Sequence, residues 1–256
     1  QLQTTSKLID RTQERLSTGK QVNSALDNPT NFFAAQAHMN RASDFSVRKD
    51  GMSEAIQTVK AADAGITAIS ALVEAAKGLA SAALSTSSTT DRASYATQFD
   101  SLRTQIDDLA IDSSFRGTNL LAADTLTVNF NEDASAKLEV EGIDATTATA
   151  GLDIAAAAGS WATSANIASA TDDLTAASNE LRAASKSLAN NLNIITTRQN
   201  FTDAMIGTLQ TGSDNLTLAD MNAEGANMLM LQTRQNLGTT ALSLSSQAAQ
   251  SVLRLF

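Results

Sequence analysis

Apolar residues recur with helical spacing over most of the chain. Leu2, Ile9 and Leu16 fall every seven residues, and Gly19, three places further on, sits where a left-handed residue closes a helix. Asn23, Ser24, Asp27 and Asn28 then offer side chains that compete with the backbone for hydrogen bonds. Pro29, the one proline in the chain, fixes φ and biases Asn28 away from the helical region. The pattern predicts a first helix ending at Gly19, a polar turn, and a second helix. Either Asp27 or Asn28 is its N-cap, Pro29 lies near its first position, and Phe32 and Phe33 follow as apolar anchors.

From Asn31 to Leu84 the residues Met52, Ile56, Val59, Ile66, Ile69, Val73, Ala76 and Leu79 keep spacings of three, four or seven, which Gly51 and Gly65 weaken without breaking. The cluster STSSTT over residues 85–90 interrupts this helix, and Asp91 is placed to cap the next, which carries Tyr95, Phe99, Leu102, Ile106 and Leu109. A loop over 113–123 follows. Leu126, Val128 and Phe130 then alternate with polar residues, as do Leu138 and Val140, which predicts a β-hairpin and further extended chain to Ile154. Trp161 is either a lone anchor or an exposed ring. Helix resumes near Asp172, where Leu174, Leu181, Leu188, Leu192, Ile195, Ile206 and Leu209 hold a seven-residue frame, interrupted by polar Gln199 and Thr202. Residues 211–214 are a kink rather than a stop. A last run carries Met228, Met230, Leu231, Leu237, Leu244, Val252 and Leu255 with no evident partner, so it is expected to be exposed or frayed from Asp220 onward.

The fold class expected is mainly α: an elongated antiparallel helical bundle or coiled coil with a small β-hairpin region. Its segments are a terminal helix and bend (1–30), two halves of a helical domain (31–123 and 172–215), a short hairpin and loop region (124–171) and a carboxyl-terminal assembly helix (216–256). Composition favours thin packing over a wide core. Among 256 residues there are 12 glycines, one proline and 4% aromatics, so long helices are permitted but bulky side chains are scarce.

A net charge of −9 and a pI near 4.6 argue against nucleic acid as a partner, because phosphate binding needs clustered Lys and Arg and the 18 basic residues are scattered. The absence of cysteine excludes disulfides and thiolate chemistry. No run of about 18 apolar residues predicts a spanning helix, and no membrane insertion is expected.

Candidate chemistry is thin. His38, the only histidine, has Ala34 and Ala42 at the helical neighbour positions, neither a metal ligand. Asp107, Asp108 and Asp112, and the pair Asp172 and Asp173, lack the alternating oxygens and central glycine of a calcium loop and read as solvated faces or caps. No phosphate-binding glycine loop, zinc-protease motif or nucleophile elbow occurs, so no enzyme, cofactor or metal is expected. The apolar final helix is the clearest functional pointer: it requires a partner helix, and its last 30 residues carry only Arg234 and Arg254, too few for a membrane-surface face.

Three blocks carry a family resemblance. The string from Arg15 to Pro29, R-L-S-T-G-K-x-V-N-S-A-x-D-N-P, resembles the amino-terminal segment of bacterial flagellins. Asp91 to Leu121 is similar to the family in D-R-x-S, then Ile106-Asp107, then Phe115-x-Gly117-x-x-Leu120-Leu121. The end is similar in Gln232, Gln235, Gly238-Thr239 and the closing Val252-Leu253-Arg254-Leu255-Phe256. The resemblance covers residues 1–123 and 180–256 and places the first block earlier than the family does, which implies a trimmed amino terminus.

The resemblance implies a secreted subunit of the bacterial flagellum at the cell surface, forming a helical homopolymer for motility. It also implies an export chaperone at the carboxyl-terminal helix and hook-associated and cap proteins as partners. Subunit contacts would use Arg15, Leu16, Gly19, Lys20, Asn23, Asp27, Asn28 and Pro29 at the bend, and Leu237, Leu244, Val252, Leu255 and Phe256 at the end. Asn28-Pro29 departs toward the hook-filament junction protein, a close relative and the alternative reading. A cell-surface adhesin or polysaccharide-binding homologue is the other, with no aromatic platform in the sequence beyond Trp161. At the position of the family's innate-receptor patch, Lys77-Gly78-Leu79-Ala80 replaces the usual Arg-Glu-Leu-Ala.

Overall fold

The computed structural model describes residues 2–253, with side chains through residue 251. Five helices, α1 (Leu2–Thr18), α2 (Pro29–Ser85), α3 (Thr89–Asp112), α4 (Ser164–Thr217) and α5 (Met221–Leu253), accompany one hairpin of β1 (Thr125–Asn129) and β2 (Lys137–Glu141). The chain divides into two compact units, one of Gln1–Ser43 with Ile206–Phe256, the other of Asp44–Met205. The fold is mainly helical with a two-stranded antiparallel sheet.

The unit of residues 44–205 is built on two heptad seams. On α2 the buried seam positions are Met52, Ala55, Val59, Ala62, Ile66, Ile69, Val73, Ala76, Ala80 and Ala83, alternating by three and four. On α4 they are Ile167, Ala170, Leu174, Ala177, Leu181, Ala184, Leu188 and Ile195, with polar Thr202 buried in the same frame. A repeat of three and four keeps one stripe facing a partner helix, and the alanines among these layers allow close approach. α2 and α4 run antiparallel, since Lys49 pairs with Asp203, Gln199 Nε2 donates to Ser53 Oγ, and Ser185 Oγ donates to Asp63. By composition and length α2 is apolar enough to cross a membrane, contrary to the sequence expectation, because alanine counts as apolar; a third of that stretch lies within the protein.

α3 turns back along α2. Its N-cap is Ser88, whose hydroxyl accepts the Asp91 N–H, so the sequence assignment of Asp91 as the cap is corrected. Gly65 has a packing role: a Cβ there would collide with Ser113 and Leu121, which close the far end of α3 onto α2. The polar stripe Asp100, Arg103 and Asp107 fastens the segment that returns from the hairpin. Asp100 accepts the Ala157 N–H (3.0 Å), Arg103 Nε donates to the Ile154 carbonyl (2.8 Å), and Asp107 accepts the Thr147 N–H (2.6 Å). Asp107 is therefore a structural acceptor rather than part of a solvated face.

β1 and β2 pair as predicted, Leu126 with Val140 and Val128 with Leu138, burying Val128, Val140 and the adjoining Phe130. Arg198 of α4 stacks over the Phe130 ring at 4.9 Å. Beyond β2 the expected extended chain is replaced by bends and turns with one isolated bridge, Ala122 to Asp144. Trp161 is fully buried and tilted against Phe99, with ring centroids 4.8 Å apart. It is delivered by a 3-10 turn (Ala158–Trp161) in which Gly159, Ser160 and Trp161 all have positive φ, a strained run that burial of the indole offsets. α4 then starts at Ser164, eight residues before the expected Asp172, because Ala165, Ala168 and Ala170 extend the helix without marking an apolar frame. It continues through 211–214, which are not a stop.

Candidate functional site

The unit formed by residues 1–43 and 206–256 holds the bend and the final helix that the sequence singles out, and its construction is different. α1 ends where expected: Gly19 takes φ 71° and donates its N–H to the Arg15 carbonyl at 2.8 Å. The chain beyond it pairs with the end of α4. Gln21 N–H donates to the Thr217 carbonyl (2.8 Å), Ala219 N–H donates to the Gly19 carbonyl (2.9 Å), and Lys20 bridges Leu218.

The turn over residues 23–28 is braced by side chains that the sequence singles out. Asp27 Oδ2 accepts the N–H groups of Asn23 and Ser24, each at 3.0 Å. These bonds, that from Ser24 foremost, hold the Asp27 carboxyl below the ordinary carboxylate range by favouring its charged form. Asn23 Nδ2 donates to the Lys20 carbonyl. Asn28, rather than Asp27, is the cap of α2: its Oδ1 accepts the Asn31 N–H, and Pro29 occupies the first helical position. Of the two expected aromatic anchors, Phe32 is half-buried, but Phe33 is 62% exposed and meets Phe32 edge-on at 5.5 Å. The tip of this braced turn is Leu26, 96% exposed.

The final helix has an internal partner, which corrects the sequence expectation. α1 packs on α5, with Gly238 leaving room for Leu2, whose Cδ2 would lie 2.8 Å from an added Cβ. Arg15 Nη1 meets Glu224 Oε1 at 2.9 Å, and Glu224 is almost fully buried in the first turn of α5. Leu231 is buried as well. α5 is helical to Leu253, not frayed, yet most of its surface after Leu231 is exposed. Leu229, Met230, Leu237, Leu242 and Leu244 stand between 47% and 67% exposed. An open groove of about 750 Å³ runs between the start of α1 and Gly238, Ala241, Leu242, Ser245, Ser246 and Ala249.

The structure thus brings Arg15, Gly19, Lys20, Asn23, Asp27, Asn28 and Pro29 into one bend and sets Leu16 half-buried on α1. Leu237 and Leu244 lie on the exposed row of α5. Val252 falls in α5 with its side chain outside the described residues, and Leu255 and Phe256 lie outside them altogether. Reading by periodicity passes over Leu26 and Glu224. Their signals are the one leucine inside a polar turn and the one acid in the first turn of α5. Among the described residues no three His, Cys, Asp or Glu side chains are grouped to hold a metal. His38 is half-buried on α2 beside Gly212.

Comparison with known proteins adds identity to this geometry. The family described as the bacterial flagellin N-terminal helical region matches residues 1–125. Flagellin FljO of Caulobacter vibrioides is 32% identical over 264 residues, covering all of this chain and 93% of that protein. Flagellin FljM of the same organism is 31% identical with the same coverage, and a flagellin of Brucella melitensis is 28% identical over 273 residues, covering all of this chain and 94% of that protein. Among solved structures, Bacillus cereus flagellin superposes with a TM-score of 0.51 at 18% identity, covering 59% of this chain and 88% of that one, a likeness of fold.

Proposed function

The chain belongs to the bacterial flagellin family, whose members are structural subunits of the flagellar filament, and we propose that its copies pack through residues 1–43 and 206–256. The observation that carries this reading is the set of exposed apolar side chains on α5. Leu229, Met230, Leu237, Leu242 and Leu244 lie on a well-formed helix, so covering them costs little ordering and removes a large apolar area from water. Head-to-tail contacts whose rotation does not close generate a helical filament, and a helix exposed along its length suits many neighbours at once.

The bend serves as the joint of this assembly segment. Asp27, Asn23 and Asn28 fix its backbone, and the Arg15–Glu224 pair holds α1 to α5, so that both helices are presented in one arrangement before assembly. The same α5 side chains suit an export chaperone that shields them before secretion, and cap and hook-associated proteins at the ends of the polymer. Full-length similarity to filament flagellins supports a filament subunit over a hook-filament junction protein. A sugar-binding role loses its one indole, because Trp161 is buried against Phe99.

Seeded polymerisation followed by electron microscopy and sedimentation tests the reading. The expected result is long helical filaments from the wild-type chain and soluble, folded protein from the double variant L237S/L244S. A wild-type chain that stays small with seeds present, or a double variant that polymerises equally well, overturns it.

A further inference from the structure

The chain holds six methionines and no cysteine, so oxidation at sulfur can fall only on thioethers. These are not equally placed. Met52 is fully buried in the α2 seam, whereas Met221 and Met230 on α5 stand 46% and 47% exposed. Exposure alone is ordinary and gives neither a role. Their positions on the helix tell them apart. Two rows run along α5 at seven-residue spacing, close to two helical turns, so each keeps to one face. Glu224, Leu231 and Gly238 form the row turned to α1: Arg15 pairs with Glu224, Leu231 is buried, and Leu2 meets Gly238. Met230, Leu237 and Leu244 form the row beside it, and all three are exposed. Met221 lies nine residues before Met230, about two and a half turns, and so on the opposite side of the helix.

We propose that Met230 is an oxidative modification site whose sulfoxide blocks assembly through the Met230–Leu237–Leu244 row. The co-reactant is a peroxide. A sulfur lone pair attacks one peroxide oxygen, the O–O bond breaks and an S–O bond forms, and the hydroxide released takes up the proton and leaves as water. Sulfur gives up two electrons and the peroxide accepts them. A polar, chiral group then stands where an apolar one stood. In the lone chain the side chain faces water, and the change costs the fold little. Against a neighbouring copy the sulfoxide oxygen is desolvated beside Leu237 and Leu244, whose side chains have no donor to offer it. Met221, equally exposed on the other side of α5, is the internal comparison, and buried Met52 is beyond the oxidant's reach while the chain stays folded. This deepens the filament reading and rests on it.

Hydrogen peroxide treatment of the lone chain, peptide mass mapping and seeded assembly test the site. Conversion of Met230 is expected to raise the critical concentration for assembly at least ~tenfold, the loss of one covered apolar side chain, with unchanged thermal unfolding. The two methionine sulfoxide reductases, one for each sulfoxide epimer, should restore assembly. M230L keeps every other methionine and is expected to assemble after the same treatment like untreated wild type. M230Q, polar and of similar size, should assemble poorly without any oxidant. Met230 left unoxidised while Met221 is converted, oxidised wild type or M230Q assembling like untreated wild type, or M230L losing assembly on treatment as wild type does, overturns the site and leaves the filament reading standing. Untreated wild-type chains that form no filament overturn the filament reading itself, and the site with it.

Discussion

The two units of this chain spend their apolar residues in opposite ways. Residues 44–205 bury theirs: Met52, Phe99, Ile106, Trp161, Leu174, Leu181 and Ile195 are all fully covered within the protein. In residues 1–43 and 206–256 the buried apolar set is small, with Val22, Ala35, Ala42, Leu209 and Leu231, and the buried polar set with Thr12, Ser213, Thr217 and Glu224 is nearly as large. The large side chains there, Leu26, Phe33, Leu229, Leu237, Leu242 and Leu244, face outward. One region completes its core within a single chain. The other leaves its large side chains uncovered, and in the assembly proposed above association with neighbouring copies would add to its stability by mass action.

That contrast is sharpest where a single substitution should strike one region and spare the other. The largest effect is expected from Trp161→Ala, which empties the site against Phe99 and should cost about 3–5 kcal/mol in urea unfolding followed by circular dichroism. A cost near that of a surface change would mean that residues 44–205 are not held by this core. Leu231→Ala comes next, at roughly 2 kcal/mol, read as loss of helix signal from α5 in the unassembled chain.

Arg15→Ala leaves Glu224 buried without its partner. Because the arginine is still about a third exposed, solvent screens the pair, and a cost of about 1–2 kcal/mol is expected, seen as a critical concentration for assembly raised roughly tenfold. Leu237→Ala should change unfolding of the unassembled chain by less than about 0.5 kcal/mol while impairing polymerisation. If it destabilises the lone chain as much as Leu231→Ala does, the division between covered and uncovered faces of α5 is wrong.

The smallest effect concerns pH. The folded Asp27 carboxyl lies below its ordinary value of 3.8, so the stability it lends the bend is present above that value and is lost as pH falls through the folded one. Hydrogen exchange at the Asn23 and Ser24 amides should lose protection in that acid range, and Asp27→Asn should remove the step. An unchanged acid profile in that variant would show that the brace is not ionic.

The bend shows how far local chemistry carries. Gly19, Asn28 and Pro29 each have a role set by backbone geometry within a few residues, and all three are legible in the sequence alone. The heptad leucines of α4 are legible for the same reason, as is the hairpin, whose alternation needs no distant partner. Alanine is the main blind spot: it supplies many layers of both seams, yet in a sequence it marks neither an apolar frame nor a surface, which hides the true start of α4. Ser88 and Asp91 are both good caps, and only the path of the chain chooses between them.

The sequence by itself determined the helical class, the hairpin, the bend and the surplus of apolar residues at the end, because periodicity and turn chemistry act over short distances. Only the tertiary structure decided that α5 has α1 as a partner through Gly238 and the Arg15–Glu224 pair, that Trp161 is a core residue, and that Leu26 is held out in water. Those outcomes depend on residues as many as 236 positions apart, Leu2 and Gly238 being the extreme, and a spacing rule has no reach over such distances.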